Sequence, residues 1–303
     1  MHNVSILIPA YNEERNIQKI IEEYFHQKLP NGAEKEIIVC ANSCTDRTEG
    51  IVRQMQKEYD GLRLLTSGTT GKAAALNFLV QEAKYNFLVF SDADIIPSDG
   101  MLMHLYEDLV SNPEIKVVGA SPRCEISKKI NLMDVINSIH EKCPPKKKIS
   151  GILYAMRKEE YISVPDYIIN EDGWINIMFD GAIKKNKDAI AYFKRPQTIE
   201  DYVKYRTRIE IGREQLKSMR NGNKKNEKES FKAKLDFFKT LTIDEILASP
   251  ILLGFFYYAR FAGKINYKKN LKYKGWEQIK STKGENIKKE DIFVKALRGI
   301  NIL

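Results

Sequence analysis

The stretch 87–97, FLVFSDADIIP, decides how this chain is read. An apolar run stops at two aspartates one residue apart, and a proline closes the segment. Strand alternation lets Asp92 and Asp94 face the same side. Like charges held this close repel, so the pair asks for a cation. Hard cations such as Mg²⁺ take oxygen ligands and often use one or two carboxylates plus substrate phosphates. Asp92-Ala93-Asp94 therefore reads as a metal-and-diphosphate site. The competing explanation is an Asp-rich turn capping a helix that starts at Ser98.

Upstream, strands and helices alternate. VSILI (4–8), EIIVCA (36–41), LRLL (62–65) and NFLVF (86–90) are short apolar runs of strand length. Between them, Ile17, Ile20, Ile21, Tyr24 and Phe25 recur at helical spacing after an Asn12 cap. A second helix follows Asp46 and Glu49, and KAAALNFLVQEA (72–83) is a third. Near-continuous apolar strands alternating with helices predict a parallel sheet covered on both faces. In such a sheet ligands bind beyond the carboxyl ends of the strands, where SDAD falls. Downstream, a helix is expected over 98–110, strands over 115–120, 151–156 and 188–193, and a loop at 143–148. From about residue 198 the pattern is helical with Lys-rich breaks.

Composition narrows the class. The chain has 303 residues, 43% hydrophobic and 29% charged, as expected of one large globular domain with an appendage. No stretch resembles a signal peptide. SPILLGFFYYARFAG (249–263), interrupted by Gly254 and Arg260, is shorter than a spanning helix needs, so no transmembrane segment is expected. Cys40, Cys44, Cys124 and Cys143 lack disulfide-framework or zinc spacing and are expected as free thiols in a cytoplasmic protein. The net charge of +9 collects late in the chain, where it suits a solvated helix surface or an anionic partner. No nucleic-acid module is recognisable, and no nucleic-acid partner is expected.

Five segments, in order, resemble the GT-A glycosyltransferases, specifically glycosyltransferase family 2. They are VSILIPAYNEERNI, IIVCANSCTDRT, GKAAALN, FLVFSDADIIP and GILYAMRKEEYISVPDYIINEDGWI, together spanning roughly residues 4–180. The resemblance implies an α/β GT-A fold: a Rossmann-like, mostly parallel central sheet flanked by helices, with a mainly helical C-terminal extension. It places a catalytic domain at 1–215, with a donor half over about 1–97 and an acceptor half over about 98–215. The helical region 216–303 would then cover the active site, form a dimer interface or meet a membrane.

The resemblance also assigns residues. Pro9, Ala10, Tyr11 and Glu13 take the turn that touches the nucleotide. Asn42 stands where many members carry paired aspartates, and its amide offers the base a donor and an acceptor. Lys72 reaches base or phosphate. Asp94 is the expected ligand of Mn²⁺ or Mg²⁺, and Asp92, across Ala93, lies nearer ribose or metal. Asp172 is the expected general base of an inverting transfer, supported by Glu171. The segment 202–212 faintly resembles a Gln-x-x-Arg-Trp motif, with Arg206 and Arg208 available for the diphosphate and Arg208 preferred. The donor is expected to be a nucleotide-sugar, with UDP the favoured nucleotide. The acceptor is a saccharide, a lipid-linked intermediate, a peptide or a small metabolite.

Two other classes compete. A nucleotidyltransferase also sets aspartates on an α/β sheet, but it would usually open with a Gly-rich loop where this chain has PAYNEERN. A nucleotide-binding protein without turnover would account for the missing aspartates at 40–41, though not for the retained Asp92, Asp94 and Asp172. The aromatic and Lys-rich stretch 251–276 fits a helix packed on the catalytic domain or across a homodimer. It equally fits a helix lying peripherally on an anionic membrane, at its inner face.

Overall fold

The computed structural model describes residues 3–30, 32–68, 70–124, 131–143, 148–217, 219, 236–269 and 282. Most of the expected loop at 143–148, the Lys-rich break at 220–235 and almost all of the stretch beyond 269 lie outside the described residues.

One eight-stranded sheet organises the chain, in the order β3-β2-β1-β4-β7-β6-β8-β5. Strands β1 (Val4–Ala10), β2 (Lys35–Asn42), β3 (Leu62–Ser67) and β4 (Phe87–Ser91) are parallel neighbours. Helices α1 (Ile17–His26), α2 (Thr48–Met55) and α3 (Lys72–Glu82) connect them. The chain winds outward through β2 and β3, then returns to the other side of β1 as β4. That reversal opens a crevice at the carboxyl ends of β1 and β4, the place where such sheets bind ligands. Asp92 and Asp94 follow β4 directly, at this crevice.

The second half is mixed. Strand β5 (Ile95–Pro97) pairs antiparallel with β8 (Ile183–Phe193). Strand β7 (Leu153–Arg157) runs antiparallel to both β4 and β6 (Val117–Cys124). Helices α4 (Met101–Ser111), α5 (Leu132–Lys142), α6 (Glu171–Met178), α7 (Ile199–Lys217) and α8 (Ile243–Lys269) complete the fold. Helix α7 is continuous across residue 215.

Strands β1, β2 and β4 are buried on both faces, and alternation divides their side chains between two cores. Val4, Ile6, Ile8, Ile37, Val39, Phe87 and Val89 meet α1, α2 and α4 on one side. Leu7, Ile38, Leu88 and Phe90 meet α3 and α6 on the other. Each such side chain contributes about 1.5–3 kcal/mol by leaving water, which holds the β1–β4 crevice in a rigid frame.

Several local expectations change. Asn12 does not cap α1: it takes a left-handed φ of 53°, and its Oδ1 accepts the Thr45 amide at 2.8 Å. The helix starts later, at Ile17. Ser98 does not cap α4, which begins at Met101 after Gly100; its hydroxyl accepts the Ile190 amide at 3.2 Å. Helix α5 is additional, and is announced by a capping box between Asn131 and Asp134. Gly254 does not interrupt the C-terminal helix. Residues 243–268 form one helix long and apolar enough to cross a membrane, because surrounding residues propagate it past Pro250 and Gly254.

Candidate active site

Lys72 opens α3 and points into the crevice. Its ammonium lies 2.6 Å from Asp92 Oδ1, also pairs with Glu171 Oε1, and donates to the Gly151 carbonyl at 3.1 Å. Asp92 comes from the end of β4 and Glu171 from the first turn of α6. One buried cation thus joins residues separated by almost a hundred positions. Burial alone would lower the Lys72 pKa, but Asp92 and Glu171 hold it above its ordinary value.

The carboxylates around it are crowded. Burial first, then Asp94 and Glu171, push the Asp92 carboxyl up to about 6, against the pull of Lys72. Burial likewise raises Asp172, opposed by Lys72 and by the Gly173 amide, which donates to Asp172 Oδ1 at 2.7 Å. Asn176 braces the same turn by donating to the Asp172 carbonyl at 2.7 Å. Glu171 and Asp172 also begin a helix, where its dipole favours negative charge.

Two carboxylates therefore pair with one ammonium, and the charges of Asp94 and Asp172 crowd Asp92 besides, a surplus of negative charge that suits a cation. Among the described residues no three or more His, Cys, Asp or Glu side chains gather closely enough to hold a metal alone. The donor set fits Mg²⁺ or Mn²⁺ with Asp94 and Asp92 as protein ligands, and substrate oxygens for the remainder.

The residues expected on the nucleotide side lie at or just beyond the ends of β1 and β2. Pro9 and Ala10 end β1 inside the sheet, Tyr11 is half-buried just beyond it, and Glu13 is buried. The first and second turns are stitched together, since Glu13 N donates to Thr48 Oγ1 at 2.7 Å and Glu14 N to Asp46 Oδ2 at 3.1 Å. Asp46 is spent on this turn, also accepting from Thr48 N at 2.9 Å. Asn42 is buried, and its amide donates to the Gly71 carbonyl at 3.0 Å, fixing the residue before Lys72. Asn42 Oδ1 is buried without a partner. Ala93 is buried between its two aspartates.

The arginines of α7 divide. Arg206 packs against α8, its guanidinium 4.8 Å from the Phe256 ring centroid and its side chain 13% exposed. Arg208 stands on the same helix, 6.0 Å from the Tyr205 ring centroid, and is not among the groups joined by Lys72. Asn77 is structural: its amide bonds Val164 and Asp166 at 2.8 and 3.1 Å.

Gly151 went unnoticed in the sequence. Its carbonyl accepts from Lys72, and a Cβ there would stand 2.6 Å from Glu171 Oε1. A glycine opening an apolar segment, GILYAM, was the available signal of close approach.

Comparison with known proteins bears on the family and the fold. The family described as Glycosyl transferase family 2 matches residues 5–148. Poly-beta-1,6-N-acetyl-D-glucosamine synthase of Staphylococcus epidermidis is 27% identical over 226 residues, covering 69% of this chain and 54% of that protein. The chain thus spans about half the length of that curated relative. Mannosyltransferase PcManGT from Pyrobaculum calidifontis, solved with GDP-Man and Mn²⁺, superposes with a TM-score of 0.62 at 18% identity, covering 88% of this chain and 87% of that one. Glucosyl-3-phosphoglycerate synthase from Mycobacterium tuberculosis, solved with Mn²⁺, UDP and glucosyl-3-phosphoglycerate, superposes at 0.51 with 22% identity, covering 69% and 78%. Over residues 5–148 the chain is thus similar to glycosyl transferase family 2, and its fold is one shared with solved glycosyltransferases.

Proposed function

We propose that this protein is an inverting, metal-dependent glycosyltransferase that moves a sugar from a nucleotide-sugar, UDP-linked, to an acceptor hydroxyl. The observation that carries it is the Lys72 bridge, which brings Asp92 of the donor strand and Glu171 of the acceptor helix to one ammonium. Donor and acceptor machinery therefore share a single cleft.

Pro9, Ala10, Tyr11, Glu13 and Asn42 line the nucleotide side. Asp94 and Asp92 would hold Mn²⁺ or Mg²⁺, which when bound neutralises the departing diphosphate. Arg208 completes the diphosphate side. Asp172 takes the proton of the acceptor hydroxyl as its oxygen bonds the anomeric carbon. The bond from that carbon to the diphosphate oxygen breaks on the opposite face. A carboxylate whose pKa is raised by burial is a better proton acceptor than a solvated one. Glu171, tied to Lys72, positions the turn that carries Asp172. The free thiols at Cys40, Cys44, Cys124 and Cys143 suit the cytoplasm.

The test measures donor binding and transfer separately. Asp94→Asn abolishes Mn²⁺-dependent binding of UDP-sugars, and Asp172→Asn retains that binding while transfer falls by about 10²-fold or more. Full transfer by Asp172→Asn refutes the base. Undiminished metal-dependent binding by Asp94→Asn refutes the metal site. Metal-dependent binding by the wild type without turnover against any acceptor class would favour the binding protein.

A further inference from the structure

Helix α8 has two unlike faces. Its inner face is fastened to the domain. Glu245 accepts from Lys142 at 2.6 Å and from Ser138 at 2.7 Å on α5. Leu252 and Phe255 pack on Met133, Ile136 and Tyr202. Ala248 and Ala259 are buried, and a Cβ on Gly263 would stand 2.7 Å from Glu210 Cβ of α7.

The outer face is apolar and open. Ile246, Leu247, Leu253, Tyr257, Tyr258 and Phe261 are 50–69% exposed. Their spacing of one, three and four residues makes one continuous stripe, with Pro250 and Gly254 filling the gaps. Soluble proteins seldom leave so long an apolar stripe open without a use for it.

Charge identifies the occupant. No acidic residue occurs between 246 and 276, while Arg260, Lys264, Lys268, Lys269, Lys272 and Lys274 are basic. The aromatic end of the stripe adjoins the first of these cations. An apolar face bordered by lysines and interfacial aromatics suits the boundary between acyl chains and anionic headgroups. A second copy of the chain would bring the same acid-poor stretch, with nothing to neutralise it. We propose that the outer face of α8 docks the protein on an anionic lipid bilayer, with the helix lying flat.

Length and composition alone would let 243–268 cross a membrane. Crossing would carry Glu245 into hydrocarbon or strip α5 and α7 of their cover, both costly. Lying flat keeps every inner contact.

The proposal is independent of the transfer reaction, because its readout is lipid binding. The full chain is floated with phosphatidylcholine vesicles and with vesicles that also contain phosphatidylglycerol. The wild type rises with the anionic vesicles and is released at about 1 M salt, where charges are screened within about 3 Å. Leu253→Asp/Phe261→Asp lowers the bound fraction by about tenfold or more. Lys264→Glu/Lys268→Glu lowers binding to anionic vesicles by about tenfold or more while leaving neutral vesicles unaffected, since each lysine near an anionic surface is worth about fivefold. Phe261→Trp, a mild change, is quenched by brominated lipid.

Four results would overturn it: no flotation of the wild type, unaltered flotation of both double variants, retention at high salt as for a spanning helix, or an unquenched Trp. A dimer that Leu253→Asp/Phe261→Asp splits without any vesicle binding would assign the face to a second copy instead.

Discussion

Lys72 Nζ lies 2.6 Å from Asp92 Oδ1, and the same ammonium holds Glu171, so a single side chain ties the end of β4 to the first turn of α6. The first turn of α3 thereby touches the end of β4 and the start of α6 at once. The domain's internal cation and its carboxylate cluster are interdependent.

Removing that cation leaves Asp92 and Glu171 facing each other unneutralised. Lys72→Met is expected to destabilise the fold by about 2 kcal/mol or more, below the 3–5 of a fully buried pair because Asp92 keeps some solvent. Adding Glu171→Gln recovers part of the loss. Urea midpoints of the two variants check both statements; a stability equal to wild type in Lys72→Met would show the bridge to be idle.

The raised Asp92 value sets a pH dependence. Its folded value of about 6 stands above its ordinary 3.8, so the folded state holds this proton more tightly than the unfolded chain. Its contribution to stability is therefore full below the ordinary value and declines as pH rises towards about 6. Asp172, also raised, acts in the same direction. In metal-free buffer the melting temperature of Asp92→Asn, relative to wild type, rises between pH 4 and 6. A flat difference across that interval contradicts the shift.

Gly151→Ala places a methyl 2.6 Å from Glu171 Oε1. The carboxylate can swing aside, but only by leaving Lys72. The expected cost is about 1–3 kcal/mol, as for a buried polar contact broken on one side, with transfer reduced more than donor binding. Equal loss of both activities would point instead to general damage of the sheet.

Glu245 anchors α8 through Lys142, Ser138 and the Thr242 amide at 2.7 Å. These partners hold its carboxyl below the usual range despite its burial. Glu245→Ala is expected to cost about 1–3 kcal/mol and to speed hydrogen exchange in α8 before the rest of the fold. Uniform exchange across the chain would show that α8 does not open on its own.

Much of this was legible in linear form. The four parallel strands follow from apolar runs at strand length, and the site's position follows from aspartates at the end of one. Lys72, Asp92, Glu171 and Asp172 were each marked by motif. Their mutual contacts were not, because residues 72, 92 and 171 meet only through the strand order. The mixed second half was less clear: β5 has three residues, and its pairing with β8 is set from a distance. Helix α5 carried a visible signal in Asn131 and Asp134 that the apolar pattern did not emphasise.

Local chemistry determined which segments would be strands or helices, since periodicity and turn residues act over a few positions. It also determined the residue types at the crevice. Only the tertiary structure decided that one ammonium would serve two carboxylates, that Asn42 would brace Gly71 rather than lie open, and that Arg206 would pack against α8. It also decided which face of α8 stays bare. Burial, pairing and exposure depend on what packs alongside, and the neighbours come from distant parts of the chain.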